Sequence, residues 1–223
     1  MSFTRFAIYY LPTDKTLASF GAAWLGWDVC AGRSVAQPDV GGIGDVTATP
    51  RKYGFHGTLK PPFRVCGGVE AAQLEDAVAA LAERTAPARC DGLALSRLGR
   101  FLALTPIGDA SEIGRVAAAC VSDLDTFRAP PTMAELARRR RARLSPLQEA
   151  MLTRWGYPYV MDAFRFHLTL TGTLPDGTAR RWQEVVADAL PPLPAPFVMD
   201  EIALVGERPD GMFERIQRYA LTG

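Results

Sequence analysis

The chain has 223 residues, 48% of them apolar and 22% charged, with a formal net charge of +1. That length and apolar content suffice for a substantial core, in one domain or two closely packed lobes. The near-zero net charge gives no overall pull toward nucleic acid or membrane, so affinity for an anion has to be local to a cleft.

Residues 4–11 (TRFAIYYL) predict a first strand, with Thr13 as the cap of a helix from about Asp14 to Leu25. The apolar run Phe6–Leu11 lies between Arg5 and Asp14 and is too short for a signal peptide or a membrane span. From Cys30 to Pro50 the chain is rich in Gly, Pro, Asp and Thr, which predicts a long loop bordering the cleft. A strand follows through Phe55-His56-Gly57-Thr58-Leu59 and is expected to stop at Pro61-Pro62. Glu70–Ala86 predicts a helix with Leu74, Val78 and Leu81 inward, and Leu93–Arg97 and Arg100–Thr105 predict a hairpin around Gly99.

Helices are predicted over Ser111–Phe127 and Met133–Trp155, interrupted by Pro130-Pro131 and restarted by Ser145-Pro146 as a cap and first-turn pair. Arg138–Arg141 with Arg143 form the one charge run, read as a solvated helix face. A second strand passes through Phe166-His167-Leu168-Thr169-Leu170. After it come a turn at Pro175-Asp176-Gly177, a helix over about Ala179–Leu190, and strands at Phe197–Val205 and Phe213–Leu221 around Pro209-Asp210-Gly211.

The chain's two histidines thus lie in one repeated pattern, FHxTL. From average residue usage, chance placement would produce that match on the order of once in several thousand trials. Side chains two apart leave a strand on the same face, so His56 points with Thr58 and His167 with Thr169, opposite the apolar residues of each motif. By the same parity Lys52 and Lys60 would join the first pair and Arg165 the second.

Two imidazoles serve as general acid and base near neutral pH, two hydroxyls donate to phosphate oxygens, and cations favour a charged transition state. The inventory suits a phosphodiester. Gly99 follows His56 by 43 positions and Pro209 follows His167 by 42, so a strand, helix and hairpin recur in register. The expected organisation is one bilobal unit over 1–223, with repeats at about 51–106 and 164–221 joined by a helical segment at about 110–155.

The paired HxT motifs, with the longer strings RKYGFHGTLKPPF (51–63) and WGYPYVMDAFRFHLTLTG (155–172), resemble the 2H phosphoesterase superfamily and its phosphonate-operon-linked branch. The resemblance implies an α+β fold of two pseudo-symmetric antiparallel-sheet lobes, with helices outside and an HxT strand from each lobe facing a central cleft. It also implies metal-independent hydrolysis of phosphoesters, with His56, Thr58, His167 and Thr169 as the reacting set. Its phosphonate link points to a ribosyl cyclic phosphate, beside 2′,3′-cyclic nucleotides, as substrate.

No metal or cofactor is expected. The cysteines at 30, 66, 90 and 120 include no CxxC pair, and two histidines cannot complete a zinc set. A cytoplasmic setting with reduced thiols follows as the default. Catalysis would place the phosphate between the lobes, with one His activating water and the other protonating the leaving alkoxide. His167 is taken as base and His56 as acid, although the near-symmetry leaves the roles exchangeable. Two rival readings are an RNA-end processing esterase or ligase-like factor and a non-catalytic nucleotide- or phosphate-binding module. No membrane partner is expected.

Overall fold

The computed structural model describes residues 3–223. The first part of the chain runs β1 (Phe6–Tyr10), α1 (Lys15–Leu25), the short ribbon β2 (Trp27–Asp28) and β3 (Arg33–Ser34), α2 (Ile43–Arg51), β4 (Gly57–Phe63) and α3 (Ala71–Glu83). Then come β5 (Ala88–Cys90), the hairpin β6 (Gly92–Leu98) and β7 (Phe101–Ile107), and the helices α4 (Ser111–Asp123), α5 (Met133–Arg140) and α6 (Pro146–Trp155). β8 (Leu168–Thr169), α7 (Ala179–Ala189), β9 (Phe197–Met199) and the hairpin β10 (Glu201–Glu207) and β11 (Phe213–Ala220) complete it.

Seven strands form one antiparallel sheet in the order β11-β10-β1-β4-β8-β7-β6. The fold is α+β, and the strands of its two halves meet at the β4–β8 pair. The hairpins are exchanged between the halves. β6–β7 follows β4 in sequence but pairs with β8, whereas β10–β11 follows β8 and lies on the β4 side through β1.

Alternation along the strands divides the core. Ile8, Tyr10, Leu59, Leu104, Leu168 and Leu204 pack on one face with apolar residues of α1, α3, α4 and α7. α3 contributes Leu74, Val78 and Leu81, the three residues expected from its spacing. Each such side chain contributes about 1.5–3 kcal/mol on burial, which anchors the sheet. On the opposite face Ala7, Tyr9, Leu11, Val205 and Phe213 form a smaller cluster with Trp27 and Val29, and the remainder of that face floors a cleft.

Three local expectations are corrected. The cap of α1 is Asp14, whose carboxylate accepts from the Leu17 amide at 2.7 Å, rather than Thr13. The stretch read as a loop contains α2, a helix of weak intrinsic propensity that forms because Ile43, Val46, Thr47 and Pro50 are buried against the core. β4 also continues through Pro61-Pro62 to Phe63. Its pairing with β8 is confined to the Gly57 end, so one side of the strand is unpaired where the prolines lie and no ladder donor is lost.

Candidate active site

Both motifs enter the sheet so that their middle residues are partners: Gly57 faces Leu168 across β4 and β8. Extending that antiparallel register by one residue sets Thr58 opposite His167 and His56 opposite Thr169. The two motifs therefore run antiparallel to each other about the Gly57–Leu168 pair. Helices from the first half brace the second motif: Trp24 Nε1 of α1 donates to the Leu170 carbonyl at 2.9 Å, and the Gly172 amide donates to Val46 of α2 at 2.6 Å.

The two imidazoles are held alike. His56 Nδ1 lies 2.9 Å from the Gly54 carbonyl and His167 Nδ1 lies 2.8 Å from the Arg165 carbonyl, each two residues upstream. A carbonyl only accepts, so both Nδ1 atoms carry hydrogen and the Nε2 atoms are left for chemistry. The first contact requires a tight turn, supplied by Gly54 at φ +72° with Val29 against its α-carbon. Thr58 Oγ1 donates to His56 Nε2 at 2.9 Å.

The surroundings of the rings differ more than their backbone contacts. His56 is half-buried and stacks on Tyr9, with ring centroids 3.7 Å apart and planes inclined by 20°. Loss of solvent lowers its pKa to about 4, opposed by the Gly54 carbonyl and reinforced by His167. His167 has Phe101 at 5.6 Å in a tilted arrangement.

Above the sheet lies a cleft of about 880 Å³ lined by Thr58, Pro61, Arg97, Phe101, Arg165 and His167, with Tyr157, Tyr159 and Phe164 from the segment after α6. Burial raises the pKa of the Tyr157 phenol, while Arg139, stacked over that ring at 4.4 Å, acts in the opposite sense. The aromatic wall was not singled out from sequence, although WGYPY carried a compositional hint. Arg139 belongs to the arginine run read as a solvated face. Its helix α5 does bury no residue, and Arg140 pairs outward with Glu149 at 2.6 Å.

Of the expected cations, Arg165 alone lines the cleft. Lys60 is turned away from it. A β-bulge in β4 pairs Thr58 with Tyr9 but Lys60 with Ile8, setting two residues of β4 against one step of β1 and reversing the parity. The Lys60 ammonium is buried, donates to the Val121 carbonyl at the C-terminal turn of α4 at 2.9 Å, and lies 3.6 Å from Asp125. Loss of solvent lowers its pKa to about 8 despite that carboxylate. Lys52 caps α2 rather than lying in a strand, with its ammonium 4.7 Å from the Tyr53 ring centroid. Thr169 is half-buried beside Ala103.

Among the described residues, no group of three or more His, Cys, Asp or Glu side chains is arranged to hold a metal ion. Among them, too, no helix is long and apolar enough to cross a membrane.

Residues 58–214 match the family described as "Protein of unknown function (DUF1045)". Over 179 residues the chain is 41% identical to a "Ribose 1,5-bisphosphate phosphokinase PhnN" of Janthinobacterium sp. (strain Marseille), covering 78% of this chain and 40% of that protein. Over 181 residues it is 33% identical to a protein of the same name from Laribacter hongkongensis (strain HLHK9), covering 80% and 42%. The chain thus spans about two fifths of the length of these relatives. Similar solved structures include TT0787 of Thermus thermophilus, with 17% identity, 98% of each chain covered and a TM-score of 0.46. Another is E. coli LigT complexed with 3′-AMP, with 16% identity, 100% of each chain covered and a TM-score of 0.46.

Proposed function

The chain belongs to the DUF1045 family, and from that premise we propose that it is a phosphoesterase of the two-histidine type that hydrolyses a small cyclic phosphate without a metal. The observation that carries the reading is the crossed pairing of the motifs. Their register sets two Nδ1-protonated imidazoles, each with a threonine across from it, on adjacent strands, with Thr58 and His167 lining the cleft while His56 and Thr169 lie behind its lining. A binding module has no need of two such rings, whereas in-line displacement at phosphorus needs one to accept a proton and one to donate it.

In the reaction, the phosphate rests between Thr58 and Thr169, whose hydroxyls donate to its non-bridging oxygens. Thr58 must release His56 Nε2 to do so, and that leaves the nitrogen free to act as phosphate enters. One Nε2 removes a proton from the attacking water as the new P–O bond forms. The other protonates the sugar oxygen as its bond to phosphorus breaks. Arg165 supplies positive charge at the cleft wall.

The names of the curated relatives support a ribosyl substrate, since ribose 1,5-bisphosphate is the compound their kinase name contains. Water opening the O2–P bond of 5-phosphoribosyl 1,2-cyclic phosphate yields that bisphosphate, with no change of oxidation state. The aromatic wall at Tyr157, Tyr159, Phe101 and Phe164 supports a second reading, an RNA-end esterase in which bases stack on these rings.

The deciding experiment assays 2′,3′-cyclic nucleotides, ribosyl 1,2-cyclic phosphate and its 5-phosphate, and oligonucleotides with cyclic ends, all in excess EDTA. Wild type is compared with His56→Ala and His167→Ala. Turnover of the ribosyl compounds, lost in both variants, is expected. Activity that rises with oligonucleotide length and falls steeply with salt would favour the RNA reading. Loss of turnover on chelation would overturn the metal-independent mechanism.

A further inference from the structure

The near-symmetry of the motifs makes the histidines look interchangeable, but the strands flanking them are not equivalent. β4 lies beside β1, and the bulge in that pairing sets Tyr9 directly across from Thr58. The Tyr9 ring then covers one face of His56 in a near-parallel stack, while Phe101 stands tilted and farther from His167. Tyr9 is itself completely buried, so it cannot swing aside as an exposed aromatic would. Its hydroxyl has no hydrogen-bond partner among the described residues, which assigns its contribution to the ring rather than to the oxygen.

We propose that Tyr9 is a positioning residue that orders the two histidines, fixing His56 as the proton acceptor and leaving His167 as the proton donor. The inference rests on the two-histidine reaction described above and reverses the roles expected from sequence. His56 is restrained at three places: its face by Tyr9, Nδ1 by the Gly54 carbonyl, and Nε2 by the Thr58 hydroxyl. In that arrangement Nε2 already behaves as an acceptor, toward Thr58, and an attacking water takes over the same lone pair. His167 Nε2 has no hydrogen-bond partner within the described residues and faces the cleft, where it can carry the proton the leaving oxygen requires.

The electrostatics act in the same sense. A parallel tyrosine ring by itself favours an imidazolium. Exclusion of water opposes this and prevails, since burial is the largest influence on His56 and holds its pKa near 4. The charged group acting on His56 is His167, and it too disfavours a second positive charge. Tyr53 lies 6.3 Å from the ring, and Arg5, Glu207 and Tyr157 are the further titratable groups that act on Tyr9. In each turnover the water proton goes to His56 Nε2 and the sugar oxygen receives one from His167 Nε2, so the pair ends with its proton exchanged and solvent restores the starting state.

Because the chain contains two histidines, imidazole NMR of the whole protein across a pH series tests this directly, with His167→Gln identifying the signals. The expected result is that His56 loses its proton well below the ordinary imidazole value of 6.5. Tyr9→Leu should move the His56 midpoint upward by about one unit or more and carry the acidic limb of the rate profile with it. Tyr9→Phe, which keeps the ring, should leave the His56 midpoint in place. A His56 midpoint at or above 6.5 in the native protein overturns the proposal, as does a midpoint that Tyr9→Phe displaces. If Tyr9→Leu does not fold, these two results remain decisive. A protein that shows the lowered His56 midpoint but turns over no cyclic phosphate would refute the reaction and not the part assigned to Tyr9.

Discussion

The ring of Phe166 occupies the space into which a side chain on Gly57 would project. One residue belongs to each motif, so the central position of FHxTL is not free to be the same in both halves. Leu168 packs into the core, whereas its partner Gly57 has to leave room for the neighbouring motif's own aromatic. Gly57→Ala should force the β4–β8 pair apart, destabilising the protein by about 1–3 kcal/mol. Chemical denaturation together with turnover checks this, and unchanged values of both would mean that the ring relocates without disturbing the pair.

Removal of either imidazole should lower kcat by about 10²- to 10⁴-fold while leaving the secondary structure intact. Each side chain is only partly buried and bonds to backbone within its own segment, so little packing depends on it. Steady-state kinetics with circular dichroism separates the two effects. A fall in kcat accompanied by loss of helix signal would point to folding instead of chemistry.

Acid should destabilise the protein through His56. Its folded pKa is about 4, below the ordinary value of 6.5, so between these values the unfolded chain binds more protons than the native one. Stability contributed by the neutral ring is present above about pH 6.5 and is lost as pH falls toward 4, by roughly 2–3 kcal/mol. Urea unfolding of wild type and His56→Gln at pH 7, 5.5 and 4 should show the difference between them narrowing in that window. A constant difference would place the ring in water.

Lys60 and Arg165 provide an opposed pair. Lys60→Met removes a cation held at the end of α4, so KM and kcat should stay within about twofold of wild type while thermal stability changes. Arg165→Ala should raise KM for an anionic substrate several-fold with a smaller change in kcat, and should weaken its dependence on salt. An activity loss confined to Lys60→Met would contradict the location of both side chains.

Period-two alternation made the motifs legible, because it depends on the local chain alone and His56, Thr58 and His167 obey it. Extending that rule to Lys60 failed at the bulge, which arises from the pairing of β4 with β1 and has no signature in β4 itself. Helix α2 was hidden for a similar reason: Gly44, Thr47 and Pro50 are poor helix formers, and the burial that compensates for them comes from distant segments. Tyr9 alternates correctly within FAIYY, toward the cleft side, yet its stacking on His56 requires a register between strands some 47 positions apart. Helices bounded by local chemistry were the easiest to read. Ser145-Pro146 starts α6 with a complete capping box, as its composition indicated.

The exchange of hairpins between the halves has a consequence for synthesis. When a ribosome has released the first 150 residues, His56 is already made, but the edge of β4 that receives the second motif has nothing to pair with. The proposed reaction centre can form only after β8 inserts between two strands that were translated long before it. A product cut short in the middle helices is therefore expected to be catalytically silent, and turnover would report that the two motifs have found each other.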